Sequence, residues 1–392
     1  MSLLPVAEAQ ARLLALAPAL AIETVPLAQA AGRWAAADIV ACRTQPAADL
    51  SAMDGYAIRF ADLPGPWRVV GESRAGASSA CTVAAGQATR IFTGAPMPAG
   101  ADTVLIQEEA SRDGDMLRLA GEGPRRPGLN VRARGSDFAE CAVLVAAGER
   151  LTPGRIAAAA MGGHGALAVR RKPRVTLIST GDELVEPGAR AEGAMLPASN
   201  GVMLAAMIGS GADLSDAGIV PDGLDPLIAA FKSAEADVIV TTGGASVGDH
   251  DLVRPALAAI GATLDFWRIA MRPGKPLLAA RLGGTIILGL PGNPVSAFVT
   301  AHLFLLPLLA RLGGARHPLP RTTPAVLAAP LPLVGARDEY VRAAMAGGRV
   351  RPLNNQDSGA VVSLAAIDAL IVRPSGAAPA AAGEIVDVLP IA

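Results

Sequence analysis

Between residues 170 and 312 short β-branched runs alternate with longer stretches whose apolar positions recur at helical spacing. The pattern predicts strands at 175–179, 238–241, 264–269 and 285–290, and helices at 201–208, 224–234, about 252–260 and from 295 onward. Strands that are apolar almost throughout, in a rhythm of alternating strand and helix, imply a parallel sheet covered on both faces. The rest of the chain has a different texture. Residues 1–43 read as a helix and a short extended piece. From 44 to 138, brief runs at 67–70, 88–92, 102–106 and 116–119 are punctuated by Gly and Pro, the mark of a mostly β unit. A helix at about 153–163 resumes the first style, and Pro320 and Pro324 open a segment of short strands from 342 to 388. The expected organisation is therefore an α/β multidomain chain. Residues 1–43 plus 139–170 form a helical N-terminal domain with a mostly β domain, 44–138, inserted. An α/β domain follows over 171–318 and a small β domain over 319–392. The basic run 170–174 reads as a solvated linker.

Composition narrows the class. The 34 Lys and Arg nearly cancel the 35 Asp and Glu, so no global field favours nucleic acid or an anionic membrane. Aromatics are 3% of the chain, so its cores are aliphatic. Three scattered cysteines (Cys42, Cys81, Cys141) without a C-x-x-C argue for free thiols in a reducing cytoplasm. The four histidines show no zinc-ligand spacing. The apolar run at 11–21 has no basic leader and contains Arg12, so it reads as an amphipathic helix rather than a signal peptide. Residues 282–310 carry no charge, but the P-G-N-P at 291–294 splits them into a strand and a helix. A membrane span is not expected there.

The candidate chemistry sits in the loops that follow the α/β strands, where an open sheet gathers its ligand. The strand at 175–179 runs into T-G-D-E-L, bringing Asp182 and Glu183. The next ends in T-G-G-A-S-V-G-D-H-D, with Gly243, Gly244, Ser246, Asp249 and Asp251, and a third in P-G-N-P with Pro291 and Pro294. Ser199-Asn200-Gly201 opens a helix with a polar side chain near its cap. Glycine admits close approach of backbone N–H groups to an anion, and carboxylates suit a hard cation such as Mg²⁺. Lysine is scarce, only Lys172, Lys232 and Lys275, and the last stands in P-G-K-P between prolines. With Arg268 and Arg272 it would make a local basic pocket for an oxyanion. One such loop alone is an ordinary βα turn; several at successive strand ends describe a site for a phosphorylated ligand and a divalent cation.

Seven segments in order, S-A-M-D-G-Y-A (51–57), F-T-G-A-P-M-P-A-G-A-D-T-V (92–104), G-L-N-V-R-A-R-G-S-D (128–137), S-T-G-D-E-L (179–184), T-T-G-G-A-S-V-G-D-H-D (241–251), M-R-P-G-K-P (271–276) and L-P-G-N-P-V-S-A (290–297), resemble the molybdopterin molybdenumtransferase family. These are the MoeA-type enzymes and the E domain of gephyrin. The resemblance implies a four-domain homodimer in the cytoplasm. Its members convert adenylylated molybdopterin and molybdate to molybdenum cofactor and AMP with Mg²⁺ or another divalent cation. Transient contact with the adenylyltransferase and with cofactor-delivery proteins is implied as well.

By the same resemblance Asp54, Glu183, Asp222 and Asp251 are the acidic set, with Glu183 and Asp251 on the metal. Thr93 donates to a phosphate or oxyanion. Arg268, Arg272 and Lys275 hold phosphate or molybdate, Pro291 and Pro294 shape the adjoining loop, and Asn200, Gly243, Gly244 and Ser246 contact substrate. Arg342 and Ser358 supply an oxyanion clamp and a hydroxyl. From the residues alone, Asp54-Gly55 is an Asp-Gly turn. The chain departs from the family at A-I-D-A-L-I (366–371), and Arg268 and Arg272 stand where relatives often have lysine. Two other readings remain for the α/β loops: adenylylation of molybdopterin, which would consume ATP, and a scaffold that retains cofactor without turnover.

Overall fold

The computed structural model describes residues 3–76, 81–244 and 252–391. At its centre lies a six-stranded sheet in the order 213–220, 174–180, 238–242, 285–290, 278–282, 263–267. The first four strands are parallel, 278–282 runs against them, and 263–267 pairs antiparallel with 278–282, so the sheet is mixed at one edge. The antiparallel pair arises because 278–282 and 285–290 are joined by a Gly283-Gly284 hairpin, too short for a crossover. The edge strand Asp213–Val220 escapes the hydrophobic pattern, since most of its residues face solvent.

Both faces are covered, as continuous apolar strands require. On one face Leu227, Phe231, Val253 and Leu257 pack against Ile178, Ile239 and Ile287. On the other, Val175, Leu177, Val238, Val240, Ile286 and Leu288 meet Leu204, Val295, Val299 and Leu308. The N-terminal helix Val6–Leu16 buries Val6, Ala9 and Leu13 in this second core. It therefore packs on the α/β unit and not with Pro153–Met161, which was expected to share its domain. That helix instead covers a separate small core around Val25, Leu151 and Val169, with the antiparallel pair Ile22–Pro26 and Ala166–Arg170.

The apolar helix after P-G-N-P runs from Pro294 to Leu312, long and apolar enough by composition to cross a membrane, but 78% of its apolar window is buried inside the molecule. Its middle, Ala301–Leu305, widens into a π turn in which Leu306 N–H donates to Ala301 O. Pro307 follows, and having no N–H it breaks the regular ladder at that point.

The insertion folds as a second six-stranded sheet around Trp67, Ile58, Leu105 and Leu117. Near the C-terminus, strands Thr323–Leu327, Asp338–Ala346, Arg349–Pro352, Ala369–Arg373 and Ile385–Pro390 close on themselves, because 338–346 pairs with both 349–352 and 369–373. Full closure leaves this small barrel without open edges. Met271–Arg272, from the R-P-G-K-P loop of the α/β unit, adds to it in parallel beside Asp338 and Glu339.

The basic run at 170–174 is built into the structure and is not a solvated linker. Arg170 donates to Leu20 O, Arg171 makes a two-pronged pair with Asp237 at 2.7 and 2.8 Å, and Arg174 begins the first central strand. Burial pushes the Asp237 carboxyl up. The bonds from Arg171, the Arg174 N–H and both positive charges outweigh it and hold the group below the ordinary carboxylate range.

Candidate active site

The carboxyl ends of the central strands and the barrel enclose a crevice of about 1380 Å³. Its α/β wall is made by Thr180, Gly181 and Glu183, by Asn200 and Asp222, by Thr242, Gly243 and Gly244, and by the 291–294 loop. Arg272 and Lys275 extend this wall, and Glu339, Gln356, Asp357 and Ser358 face it from the barrel. Loops from three neighbouring parallel strands meet here because their chain direction puts all three exits on one edge.

The approach of these loops dictates their residues. Gly243 has φ +94°, and a Cβ there would lie 2.3 Å from Thr180 O. Gly244 has φ +60°, and its Cβ would press on the Val253 side chain at 2.9 Å. Only glycine gives this backbone both its conformation and its closeness to the neighbouring strand. Asn200 is not a helix cap: the cap position is Ala198, and Asn200 lies in the first turn of Ser199–Ile208. Its Nδ2 donates to Thr242 Oγ1 at 2.8 Å and Gly292 O at 2.7 Å, tying two crevice loops together. Asp182, in the loop beside Glu183, accepts the Asp222 N–H at 3.0 Å, which ties two more.

The barrel is joined to this wall by specific bonds. Asn293 Nδ2 donates to Ser358 Oγ at 2.8 Å, and Val295 N–H donates to Ser358 O at 3.1 Å. The N-terminus of the helix that follows P-G-N-P thus commits one of its amides to the barrel. Arg272 pairs with Glu339 at 3.3 Å and keeps 64% of its side chain exposed, so much of its guanidinium remains open.

Of the residues singled out from sequence, Glu183, Asp222, Lys275, Asn200, Gly243, Gly244, Arg272, Pro291, Pro294 and Ser358 share this one crevice. Ser246 and Asp251, with Asp249, lie outside the described residues. Arg268 does not line the crevice; its guanidinium stacks over Trp267 at 3.8 Å, with Arg254 on the same indole at 4.0 Å. Arg342 is neither a surface arginine nor a crevice clamp. It is 1% exposed and donates to Asn355 O and Asp357 O at 2.9 and 3.0 Å, holding from behind the loop that carries Ser358. Burial pushes its guanidinium below the ordinary range, against the pull of Asp357.

Asp54 and Thr93 lie in turns at the ends of strands 55–58 and 87–91 of the inserted sheet and do not line the crevice of their own chain. The pair is nevertheless well made: Asp54 Oδ1 accepts the Thr93 N–H at 2.7 Å and its hydroxyl at 2.8 Å. Those two bonds hold the carboxyl below its usual range. Asn293, Gln356 and Thr242 were not singled out. Asn293 sat in view within P-G-N-P, whereas the Thr242 and Gln356 contacts depend on tertiary pairing. Among the described residues, no three His, Cys, Asp or Glu side chains stand close enough to hold a metal between them.

Comparison with known proteins accounts for the whole layout. Residues 4–163 match the MoeA N-terminal region (domains I and II), 176–311 the probable molybdopterin binding domain, and 324–391 the MoeA C-terminal region (domain IV). A molybdopterin molybdenumtransferase of a Nostoc species is 35% identical over 392 residues, 94% of this chain and 88% of its own length. One from Haemophilus influenzae is 36% identical over 300 residues, 75% of this chain and 74% of that one. The crystal structure of the molybdopterin biosynthesis MoeA protein of Pyrococcus horikoshii superposes with a TM-score of 0.83 at 29% identity, covering both chains in full. With family matches running from residue 4 to residue 391 in the order the fold displays, this chain belongs to the molybdopterin molybdenumtransferase family.

Proposed function

We infer that the chain is a transferase of molybdenum cofactor biosynthesis that inserts molybdate into adenylylated molybdopterin with release of AMP. The relatives' shared name supports the reaction. The observation that carries the reading to these residues is the crevice itself: glycine loops that tolerate no Cβ, the α/β-wall acids Glu183 and Asp222, and the cations Arg272 and Lys275 converge on one space. Phosphoanhydride cleavage requires charge neutralisation and alignment more than covalent catalysis. Backbone N–H groups around Gly243 and Gly244 suit the phosphates, and Arg272 and Lys275 suit an oxyanion. Ser358 offers a hydroxyl to the same space.

A divalent cation such as Mg²⁺ fits the donor set, since it is commonly bound by one or two carboxylates together with substrate phosphates. Glu183 and Asp222, together with Asp251, would be the hard oxygen ligands for it. When bound it would neutralise phosphate charge. Asp54 and Thr93 enter the reaction in this reading as a contribution from the second subunit of a homodimer, reaching the crevice that their own chain does not offer them. The protein acts in the cytoplasm and meets the adenylyltransferase and cofactor-delivery proteins transiently.

The test is an anaerobic assay with adenylylated molybdopterin, molybdate and Mg²⁺. AMP release is expected in the parent and should fall at least about a hundredfold in Lys275→Ala and Glu183→Gln. Turnover that consumed ATP and produced adenylylated molybdopterin would instead support an adenylyltransferase. Retention of cofactor without any AMP would support a scaffold.

A further inference from the structure

The barrel side of the crevice holds a surface that phosphate and oxyanion binding leave unused. Pro330, Leu331, Pro332 and Val334 line the cavity in succession, an apolar strip facing the polar strand-end loops. The strip is braced from behind. Leu331 and Ala380 exchange both amide bonds, at 2.9 and 3.0 Å; Val334 N–H donates to Ala377 O at 3.0 Å, and Gly376 N–H to Gly335 O at 2.9 Å. Arg373, 4% exposed and itself bordering the cavity, donates through Nη2 to Pro332 O at 3.2 Å and to Ala378 O. Its Nη1 has no hydrogen-bond partner, and among the described residues no carboxylate pairs with it. A second arginine, Arg337, borders the same part of the cavity.

We propose that this braced strip is a shelf for the fused heteroaromatic ring of the substrate, with Arg373 as its positioning residue. The proposal rests on the adenylylated-pterin reading above and deepens it. The exposed rings of Pro330 and Pro332, beside the buried Leu331 and Val334, give a flat ring an apolar face to lie on, and covering that face removes it from water at about 25 cal/mol per Å². A buried guanidinium beside the strip whose Nη1 lacks a hydrogen-bond partner favours a ring that carries acceptor atoms over a hydrocarbon one. The two walls are then complementary to a molecule with a charged phosphate end and a flat acceptor-bearing end. The pterin and the purine share that chemistry, and two probes separate them.

The test uses the full-length protein with AMP, 6-hydroxymethylpterin and molybdate as separate probes, titrated by calorimetry. Pro332→Glu places a carboxylate on an exposed position of the shelf, Arg373→Met removes the brace, and Arg373→Lys restores charge. One ring probe should bind the parent and lose at least about tenfold in affinity in Pro332→Glu and Arg373→Met, with partial recovery in Arg373→Lys and molybdate binding unchanged. Which probe responds identifies the ring. The proposal is overturned if neither ring probe binds the parent or if both bind Pro332→Glu like the parent. It is also overturned if Arg373→Met weakens all three probes alike while Pro332→Glu weakens none. AMP release by the parent with an unaltered KM in Pro332→Glu would remove the shelf and leave the transferase assignment intact.

Discussion

Gly243 shows how much a single position can carry. A methyl group there meets the Thr180 carbonyl oxygen at 2.3 Å, and the φ of +94° is one that side chains rarely adopt. Gly243→Ala should therefore displace the loop, and AMP release should fall by about 10²-fold, the scale expected when reacting groups are misplaced by an ångström. Steady-state kinetics beside a melting curve would check it; a variant with parental turnover would show that this backbone does not hold the substrate. Arg342 acts by another route. Because it supports carbonyls of the 355–357 loop from within the barrel, Arg342→Met should cost about 1–3 kcal/mol in chemical denaturation. It should also lower activity through Ser358, without itself touching substrate. Sequence could flag both residues, but it assigned Arg342 to the ligand. The difference between a clamp and a strut is burial, which no motif encodes.

At the scale of elements, the junction between the strand Ala166–Arg170 and the first central strand depends on an ion pair that the basic run concealed. Asp237 is 12% exposed and receives both prongs of Arg171 together with the Arg174 N–H. Its folded-state affinity for protons is lowered, so its contribution is fully present above the unfolded carboxylate value and is lost as pH falls through the folded one. Asp237→Asn should destabilise the protein at pH 7 by about 2–3 kcal/mol. The gap between variant and parent should close as pH drops below about 4, which melting temperatures across pH 3–7 would reveal. A gap independent of pH would mean that the aspartate acts through shape alone. Five consecutive residues with four positive charges look like solvated chain when their acidic partner lies 66 positions away. By contrast, the strands at 238–242 and 285–290 were legible almost to the residue, since burial on both faces leaves an uninterrupted apolar run.

For the molecule as a whole, Asp54 and Thr93 stand apart from the crevice of their own chain, so the proposed reaction ties their role to a second subunit. If the site is completed across a homodimer, mixing inactive Asp54→Ala with inactive Lys275→Ala should restore AMP release, because mixed dimers contain one site with both residues intact. A mixture that stays inactive, or a parent that sediments as a monomer while active, would contradict a shared site. The barrel and the α/β unit bear on the same question of placement: Ser358 and Glu339 reach the crevice only because the 271–272 strand and the Asn293 and Val295 bonds dock one unit on the other.

What the sequence determined by itself is the part governed by local chemistry. Alternating strand and helix patterns, glycine and proline at the strand exits, and one lysine held between prolines were enough to locate the crevice, while the family came from the resemblance of seven collinear segments. The tertiary structure decided the rest. It took the N-terminal helix onto the α/β core, turned Arg268 onto Trp267, buried Arg342 behind its loop, and set a proline-lined barrel wall beside the strand-end loops. Each of those outcomes depends on which surfaces distant segments offer one another, and desolvation and packing between them are settled only once the whole chain has folded.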